Sequence, residues 1–242
     1  MAFAQTSRRP IEGAVATIGV SDRVDFLRKT YGLLGVSLVV FAALTGMLMR
    51  TSFSQSFTMW AFGGQFNWLM VLGLFMVTGV VAQKLATSDS SRGLQFVGLG
   101  IAVVAEAILL QPMLWLAFLK FGATDAISII MQATVITLSI FIGLTLTVFI
   151  TKKDFSFMRG VLMMCSFGAL GVIVASMIFG FSLGSLFTGF MILLMGGYIL
   201  FQTSAVLRDF PPRAYVAAAL MLFSTIATLF WYVLRLLMSR RN

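Results

Sequence analysis

The sequence predicts an all-α fold, a polytopic membrane helix bundle with seven transmembrane helices. Of the 242 residues, 60% are hydrophobic and only 10% are charged. Soluble domains contain nearer a quarter charged residues, and a mean hydropathy of +1.01 is far above what they show. The apolar residues also fall into stretches of about 20, the length that a helix needs to cross a bilayer. We therefore assign residues 23–238 to one membrane domain.

The first four predicted crossings are separated by charged or polar residues. They cover residues 31–49, 66–86, 94–119 and 126–151. Each crossing must be helical, because hydrocarbon offers no partner for an unpaired backbone N–H or C=O group.

The long uncharged stretch 160–207 is predicted to contain the fifth and sixth crossings. It is too long for a single membrane helix, so the chain must turn within it. We place the turn at residues 180–184, where two glycines allow a tight reversal.

The seventh predicted crossing covers residues 214–234 and follows Pro211 and Pro212, which cannot continue the preceding helix. Its hydroxyl-bearing residues, Thr225 among them, make it less apolar than the other crossings. Two interpretations stay open for it, a complete crossing and a re-entrant segment.

The distribution of basic residues predicts the orientation. Most lysines and arginines precede the first crossing or lie in the second, fourth and sixth loops, so the positive-inside rule places the N-terminus in the cytoplasm. Arg235, Arg240 and Arg241 are the exception, because seven crossings put them on the opposite side. Residues 1–22 are polar and are predicted to form a disordered cytoplasmic arm. We expect a bacterial plasma (inner) membrane.

The composition excludes several classes of protein. There is no histidine and a single cysteine, Cys165, which removes histidine-ligated metals, Ser–His or Cys–His nucleophile pairs and an internal disulfide. We therefore expect no catalytic residue, no cofactor and no metal site, and not an enzyme. The net charge of +9 fits membrane topology and contact with anionic lipid headgroups. The predicted partner is the bilayer, not nucleic acid.

Glu106 is the only carboxylate clearly inside a predicted crossing. A charge near the bilayer centre is costly, so such a residue is a functional candidate. It could respond to protons or bind a cation. The alternative is a neutral glutamic acid held by a neighbouring serine, threonine or glutamine.

Three segments carry a resemblance to a known family. The first opens the initial crossing at residues 26–31, and the second is 198–204 in the sixth. The most specific is the loop after the fourth crossing, formed by Thr151, Lys152, Lys153, Asp154 and Phe155. With these segments the chain resembles the Bax inhibitor-1 family over nearly its whole length.

The resemblance implies a fold in which the seventh helix is central and the other six surround it. It also implies a calcium leak across the membrane that responds to pH, with calcium or other cations as partners. Eukaryotic members are linked to suppression of cell death. In some bacteria the family restrains a membrane-bound quality-control protease, which would then be a protein partner.

The sequence departs from the family at two positions. Many members carry one aspartate in the sixth helix and one in the seventh, a pair that can share a proton. Here Gln202 and Thr225 stand at those positions, and neither ionises. We expect a hydrogen bond between them instead, and with Glu106 they form the candidate ion or proton pathway. The chain is therefore either a cation leak channel with altered or lost pH gating or a modulator of a partner membrane protein.

Overall fold

The structure is a computed structural model that describes residues 15–17, 19–88 and 91–241. Seven α-helices lie in these ranges: α1 (Val20–Leu48), α2 (Ser52–Phe62), α3 (Gln65–Ala86), α4 (Arg92–Thr151), α5 (Met158–Phe179), α6 (Ser185–Arg208) and α7 (Tyr215–Arg240). No strand occurs among the described residues. The predicted all-α class is confirmed.

Helix α4 supplies two crossings. Its 60 residues would extend for about 90 Å as a straight helix, three times the roughly 30 Å of a hydrocarbon core. Gly122 interrupts it with φ 77° and ψ 172°, a conformation that is essentially restricted to glycine. We call residues 92–121 the first arm and residues 123–151 the second arm. Leu114 and Thr134 line one shared groove, so the second arm folds back on the first.

The seven predicted crossings are confirmed. Among the described residues, six helices are long and apolar enough to span a membrane. Because α4 is interrupted at Gly122 and folds back, its two arms supply two of the seven crossings. The predicted turn at 180–184 is also present, because α5 ends at Gly180 in the left-handed conformation with φ 74°. Helix α1 begins at Val20, well before the predicted start at residue 31. Its added turns are polar and include an ion pair between Lys29 and Asp25, one helical turn apart.

Helix α7 is the centre of the bundle. Of its most apolar 18-residue window 72% is buried, against 56% in α6 and at most 28% in the other spanning helices. It packs against α1, α3, α4 and α6. Its 26 residues extend for about 39 Å in one uninterrupted helix, which is long enough for a complete crossing and favours it over the re-entrant alternative. Because α7 contacts protein on most sides, its threonines do not have to face lipid.

Part of the predicted N-terminal arm is ordered. Residues 1–14 and residue 18 lie outside the described residues. Residues 15–17, however, form a short 3₁₀ turn in which the side chain of Val15 is fully buried. The Val15 N–H donates to the Phe210 carbonyl oxygen at 2.9 Å. Here the structure departs from the expectation of disorder, because this apolar residue docks beside the loop between α6 and α7.

Helix α2 was not predicted from the sequence. Its 11 residues are too few to cross the bilayer. Ser54 attaches it to the first arm of α4, where its hydroxyl donates to Gln111 Oε1 at 2.7 Å and accepts from Trp115 Nε1 at 2.8 Å. The buried residues Ser54, Thr58 and Ala61 recur at helical spacing, but two of them are polar, so the sequence does not mark this face as buried.

Candidate functional site

Glu106 lies about midway along the first arm of α4, at the floor of a cavity. The residue is only 7% exposed, and the cavity has a volume of about 420 Å³. Within the part of the chain that the structure describes, no hydrogen bond or ion pair reaches its carboxylate. Its oxygens are also not among the polar atoms sealed inside the packed interior. The carboxylate therefore faces the open space of the cavity.

The alternative of a glutamic acid held by a nearby hydroxyl group does not match this geometry. Four hydroxyl-bearing side chains line the same cavity, those of Ser176, Ser182, Thr228 and Tyr232. Ser176 donates to the Ile173 carbonyl oxygen, and Thr228 donates to the Ser224 carbonyl oxygen, each at 2.8 Å. Among the described residues, no hydrogen bond joins any of these four hydroxyl groups to Glu106.

The cavity is formed by helices far apart in the sequence. Its walls come from the beginning of α3, the end of α5, the loop between α5 and α6, and the second half of α7. The cavity extends from the middle of the first arm of α4 toward the end of the bundle where α5 ends and α6 begins. Most of the wall is apolar and aromatic, with rings from Trp68, Phe75, Phe181, Trp231 and Tyr232.

Arg235 belongs to the same cavity. Its Nη2 donates to the Leu183 carbonyl oxygen at 2.8 Å, and its guanidinium carbon lies 5.7 Å from the centroid of the Trp231 ring. It forms no ion pair with Glu106. The sequence marked Arg235 only as an exception to the positive-inside rule. The structure makes it part of the cavity wall, and no local sequence signal indicates this.

Gln202 and Thr225 form a separate polar contact between α6 and α7. The Thr225 hydroxyl lies 2.9 Å from Gln202 Oε1 and 3.1 Å from the Met221 carbonyl oxygen, and its single proton is available to either acceptor. Both side chains are buried. The expected hydrogen bond is present. Neither residue lines the cavity of Glu106, so the structure does not bring the three candidate pathway residues together.

The family motif loop is attached to the end of α6. Lys152 ends α4 in the left-handed conformation with φ 51°. Beyond it, the Phe155 N–H donates to Ser204 Oγ at 3.2 Å, and Ser204 Oγ donates to the Lys153 carbonyl oxygen at 3.4 Å. Ser204 lies two residues beyond Gln202. The two motif segments of the sequence therefore meet at one end of the bundle.

Asp154 strengthens this attachment through an ion pair, in which Arg208 Nη1 lies 2.8 Å from Asp154 Oδ2. Partial burial would raise the pKa of the carboxyl. Hydrogen bonds from Ser156 and the guanidinium of Arg208 outweigh that effect and hold the pKa below its usual range. The contact is partly exposed, so its contribution to stability is modest.

We expect Asp154→Asn to lower the thermal unfolding midpoint in detergent at neutral pH, by the equivalent of about 1 kcal/mol or less. Because the folded-state pKa is lowered, the stabilisation is complete above about pH 4 and is lost as the pH falls through that lowered pKa. The difference between the two proteins should therefore disappear in strong acid. Asp125→Asn is the control, because it makes the same change at an exposed aspartate outside this ion pair. Equal midpoints for both variants at neutral pH would contradict the role of the ion pair.

Comparison with known proteins places these features in a family context. Residues 23–242 match the family model described as Inhibitor of apoptosis-promoting Bax1. Bax inhibitor 1 of Schizosaccharomyces pombe is 29% identical over 233 residues, which cover 94% of this chain and 81% of that protein. The Golgi anti-apoptotic protein of vaccinia virus (strain Lister) is 24% identical over 237 residues, covering 93% and 89%. An uncharacterized membrane protein of Vibrio cholerae is 29% identical over 217 residues, covering 87% of each chain.

Proposed function

The chain belongs to the Bax inhibitor-1 family, and on that premise we propose that it is a passive pathway for calcium or other cations with altered or lost pH gating. The observation that carries the proposal is the unpaired carboxylate of Glu106. It lies at about half the depth of the membrane and faces a cavity that extends toward one membrane face. A cation in that cavity would have only the other half of the membrane to cross.

A single carboxyl group, that of Glu106, suits the passage of a cation better than its tight binding. Calcium is held tightly by six to eight oxygen ligands. Glu106 is the only carboxylate that lines the cavity, and the described residues contain no group of three or more acidic, cysteine or histidine side chains that could hold a metal ion. A single carboxylate attracts a cation without trapping it, which is what conduction requires.

The contact between Gln202 and Thr225 supports the loss of the family's pH gate. An amide and a hydroxyl do not ionise near neutral pH, so a proton cannot open or close this contact. Any remaining pH response would arise in the cavity, where Arg235 and Tyr232 of α7 face the same space as Glu106. The lining residues from α3, α5 and the loop between α5 and α6 carry no titratable side chain.

Purified protein in liposomes that contain a calcium-sensitive dye tests this function. We expect wild type to admit calcium faster than protein-free liposomes. Glu106→Gln should lower the initial rate about tenfold or more, since a loss of only about 1.4 kcal/mol of attraction gives a factor of ten. Asp125→Asn makes the same change of acid to amide at an exposed position outside the cavity and should leave the rate unchanged. No flux by folded wild type at any pH would overturn the proposal.

The second candidate function is modulation of another membrane protein, such as a quality-control protease. It is favoured by the hydrogen bond between Gln202 and Thr225, because binding needs no titrating gate. The name of one relative, Bax inhibitor 1, also points to action on another protein. Crosslinking in native membranes distinguishes the candidates. A stable partner without calcium flux supports modulation, whereas flux without a stable partner rejects it.

For the orientation we propose a cytoplasmic N-terminus in a bacterial plasma membrane. The basic loops that follow α3, α4 and α6 lie at one end of the bundle. The positive-inside rule assigns that end to the cytoplasm. The cavity of Glu106 then extends toward the non-cytoplasmic face. Labelling of Ser52→Cys, in a Cys165→Ser background, by an impermeant maleimide tests this in intact cells. Labelling only after permeabilisation would reverse the orientation.

A further inference from the structure

We propose that the cavity at Glu106 binds a small zwitterion, a molecule with a primary ammonium and a carboxylate joined by a short apolar chain. The inference goes beyond the proposed leak, because binding requires no ion flow. It rests on a carboxyl group, that of Glu106, and a guanidinium group, that of Arg235, which line one cavity without pairing with each other.

Glu106 provides the site for the ammonium group. Its carboxylate is buried, lacks a partner among the described residues and faces the open cavity. A buried carboxyl group without a partner favours its neutral form, and a cation that enters the cavity stabilises the carboxylate through a charge-assisted hydrogen bond. An alkylammonium group brings three N–H donors and fits the two carboxylate oxygens. Aromatic side chains, including Phe75 and Tyr232, line the same cavity, and an aromatic ring is a further group that can attract a cation.

Arg235 provides the site for the carboxylate group. Its guanidinium is held by the Leu183 carbonyl oxygen and by the Trp231 ring, so it is positioned before a ligand arrives. Only one of its five N–H donors is used in that hydrogen bond. The planar guanidinium can bind a carboxylate through two parallel hydrogen bonds.

The space between the two charges sets the length of the ligand. Arg235 lies two helical turns beyond Thr228, which lines the cavity with Glu106, and two turns correspond to about 10 Å along α7. A ligand that reaches both Glu106 and Arg235 lies in a cavity that covers these two turns of α7, so a series of chain lengths identifies the best fit. The wall between them is mainly apolar, and the volume of about 420 Å³ falls in the range of small-molecule sites.

Singly charged ligands suit this cavity less well. A simple amine pairs with Glu106 and leaves Arg235 without a carboxylate, while a simple carboxylate leaves Glu106 unpaired. A ligand with both groups satisfies both ends, and its methylene chain can contact the apolar wall between Trp68 and Trp231. Charge complementarity therefore favours the zwitterion.

The test uses full-length protein in detergent micelles and a series of ω-amino acids: β-alanine, γ-aminobutyrate, δ-aminovalerate and ε-aminocaproate. Two singly charged analogues, n-butylamine and n-butyrate, serve as matched ligands. Affinities are measured by calorimetric titration, and tryptophan fluorescence provides a second readout, because Trp68 and Trp231 line the cavity. We expect one member of the series to bind about tenfold or more tighter than both analogues.

Two substitutions assign the ends of the ligand. Glu106→Gln should reduce the affinity for the best ω-amino acid to that for n-butyrate. Arg235→Lys, which keeps the charge but loses the two parallel hydrogen bonds, should weaken the same ligand without changing the affinity for n-butylamine. Asp125→Asn, outside the cavity, should leave every affinity unchanged.

The inference is overturned if no ω-amino acid binds tighter than both analogues, or if Glu106→Gln binds the best of them as tightly as wild type. This outcome is independent of the leak. Calcium flux without zwitterion binding overturns this inference alone, and zwitterion binding without flux overturns the leak alone.

Discussion

Gly98→Ala is expected to separate α3 from the first arm of α4 and to lower the yield of folded protein sharply. A Cβ atom at residue 98 would lie 2.5 Å from the Ala82 carbonyl oxygen, 2.7 Å from the Ala86 nitrogen and 3.0 Å from the Leu85 Cβ atom. Two of these atoms belong to the backbone, so only a shift of the whole helix can relieve the clash. Overpacking typically costs about 1–3 kcal/mol, and a backbone clash should reach the upper end.

Gly100→Ala is the matched control, because a Cβ atom at residue 100 meets nothing within 4 Å. The same substitution there should be neutral or slightly stabilising, since alanine favours helix more than glycine does. The thermal midpoint and the monodisperse fraction in detergent are the measurements. Similar midpoints for the two variants would show that α3 and α4 do not approach as closely as the structure has them. Because α3 also carries Trp68 and Phe75, its displacement should alter the cavity of Glu106.

The double substitution Gln202→Asp with Thr225→Asp is expected to make calcium flux depend strongly on pH. The present side chains are in hydrogen-bond contact at 2.9 Å, so two carboxyl groups at these positions would also lie close together. Two adjacent carboxylates cannot both carry a charge without strong repulsion, so they share a proton. Loss of that proton should push α6 away from α7. We expect the flux to change about tenfold or more across the pH at which the proton leaves.

Gln202→Asn with Thr225→Asn is the control for this experiment. Asparagine has nearly the shape of aspartate but does not ionise, so it reproduces the packing change without the charge. The flux of this variant should not acquire the new pH dependence. If both double variants give the same pH profile in liposomes, a proton shared between α6 and α7 does not control the pathway.

The bundle could be predicted from the sequence because hydrocarbon permits few structures. Length and composition alone identified the crossings, and the two glycines at 180–184 identified the turn between α5 and α6. The central place of α7 was implied by the resemblance and fits Thr225, which is buried against α6. Helix α2 escaped prediction because its attachment depends on Ser54 meeting Gln111 and Trp115, more than 50 residues away in the chain.

The candidate site was predictable only in part. Glu106 stood out because it is the single carboxylate in a predicted crossing. Its surroundings could not be predicted, because the cavity combines α3, α4, α5 and α7, and no local pattern encodes how these helices pack. Arg235 shows this most clearly, since its role depends on the Leu183 carbonyl oxygen and on the Trp231 ring. Gln202 and Thr225 were identified through the family resemblance.

The pH profile of calcium uptake by liposomes that contain wild type or Glu106→Gln tests the central claim most directly. That claim is that cations pass through the cavity of Glu106 and that pH acts there and not between Gln202 and Thr225. The expected result is calcium uptake by wild type, slower uptake by Glu106→Gln, and loss in Glu106→Gln of whatever pH dependence wild type retains. A Glu106→Gln protein with the rate and profile of wild type would contradict the claim.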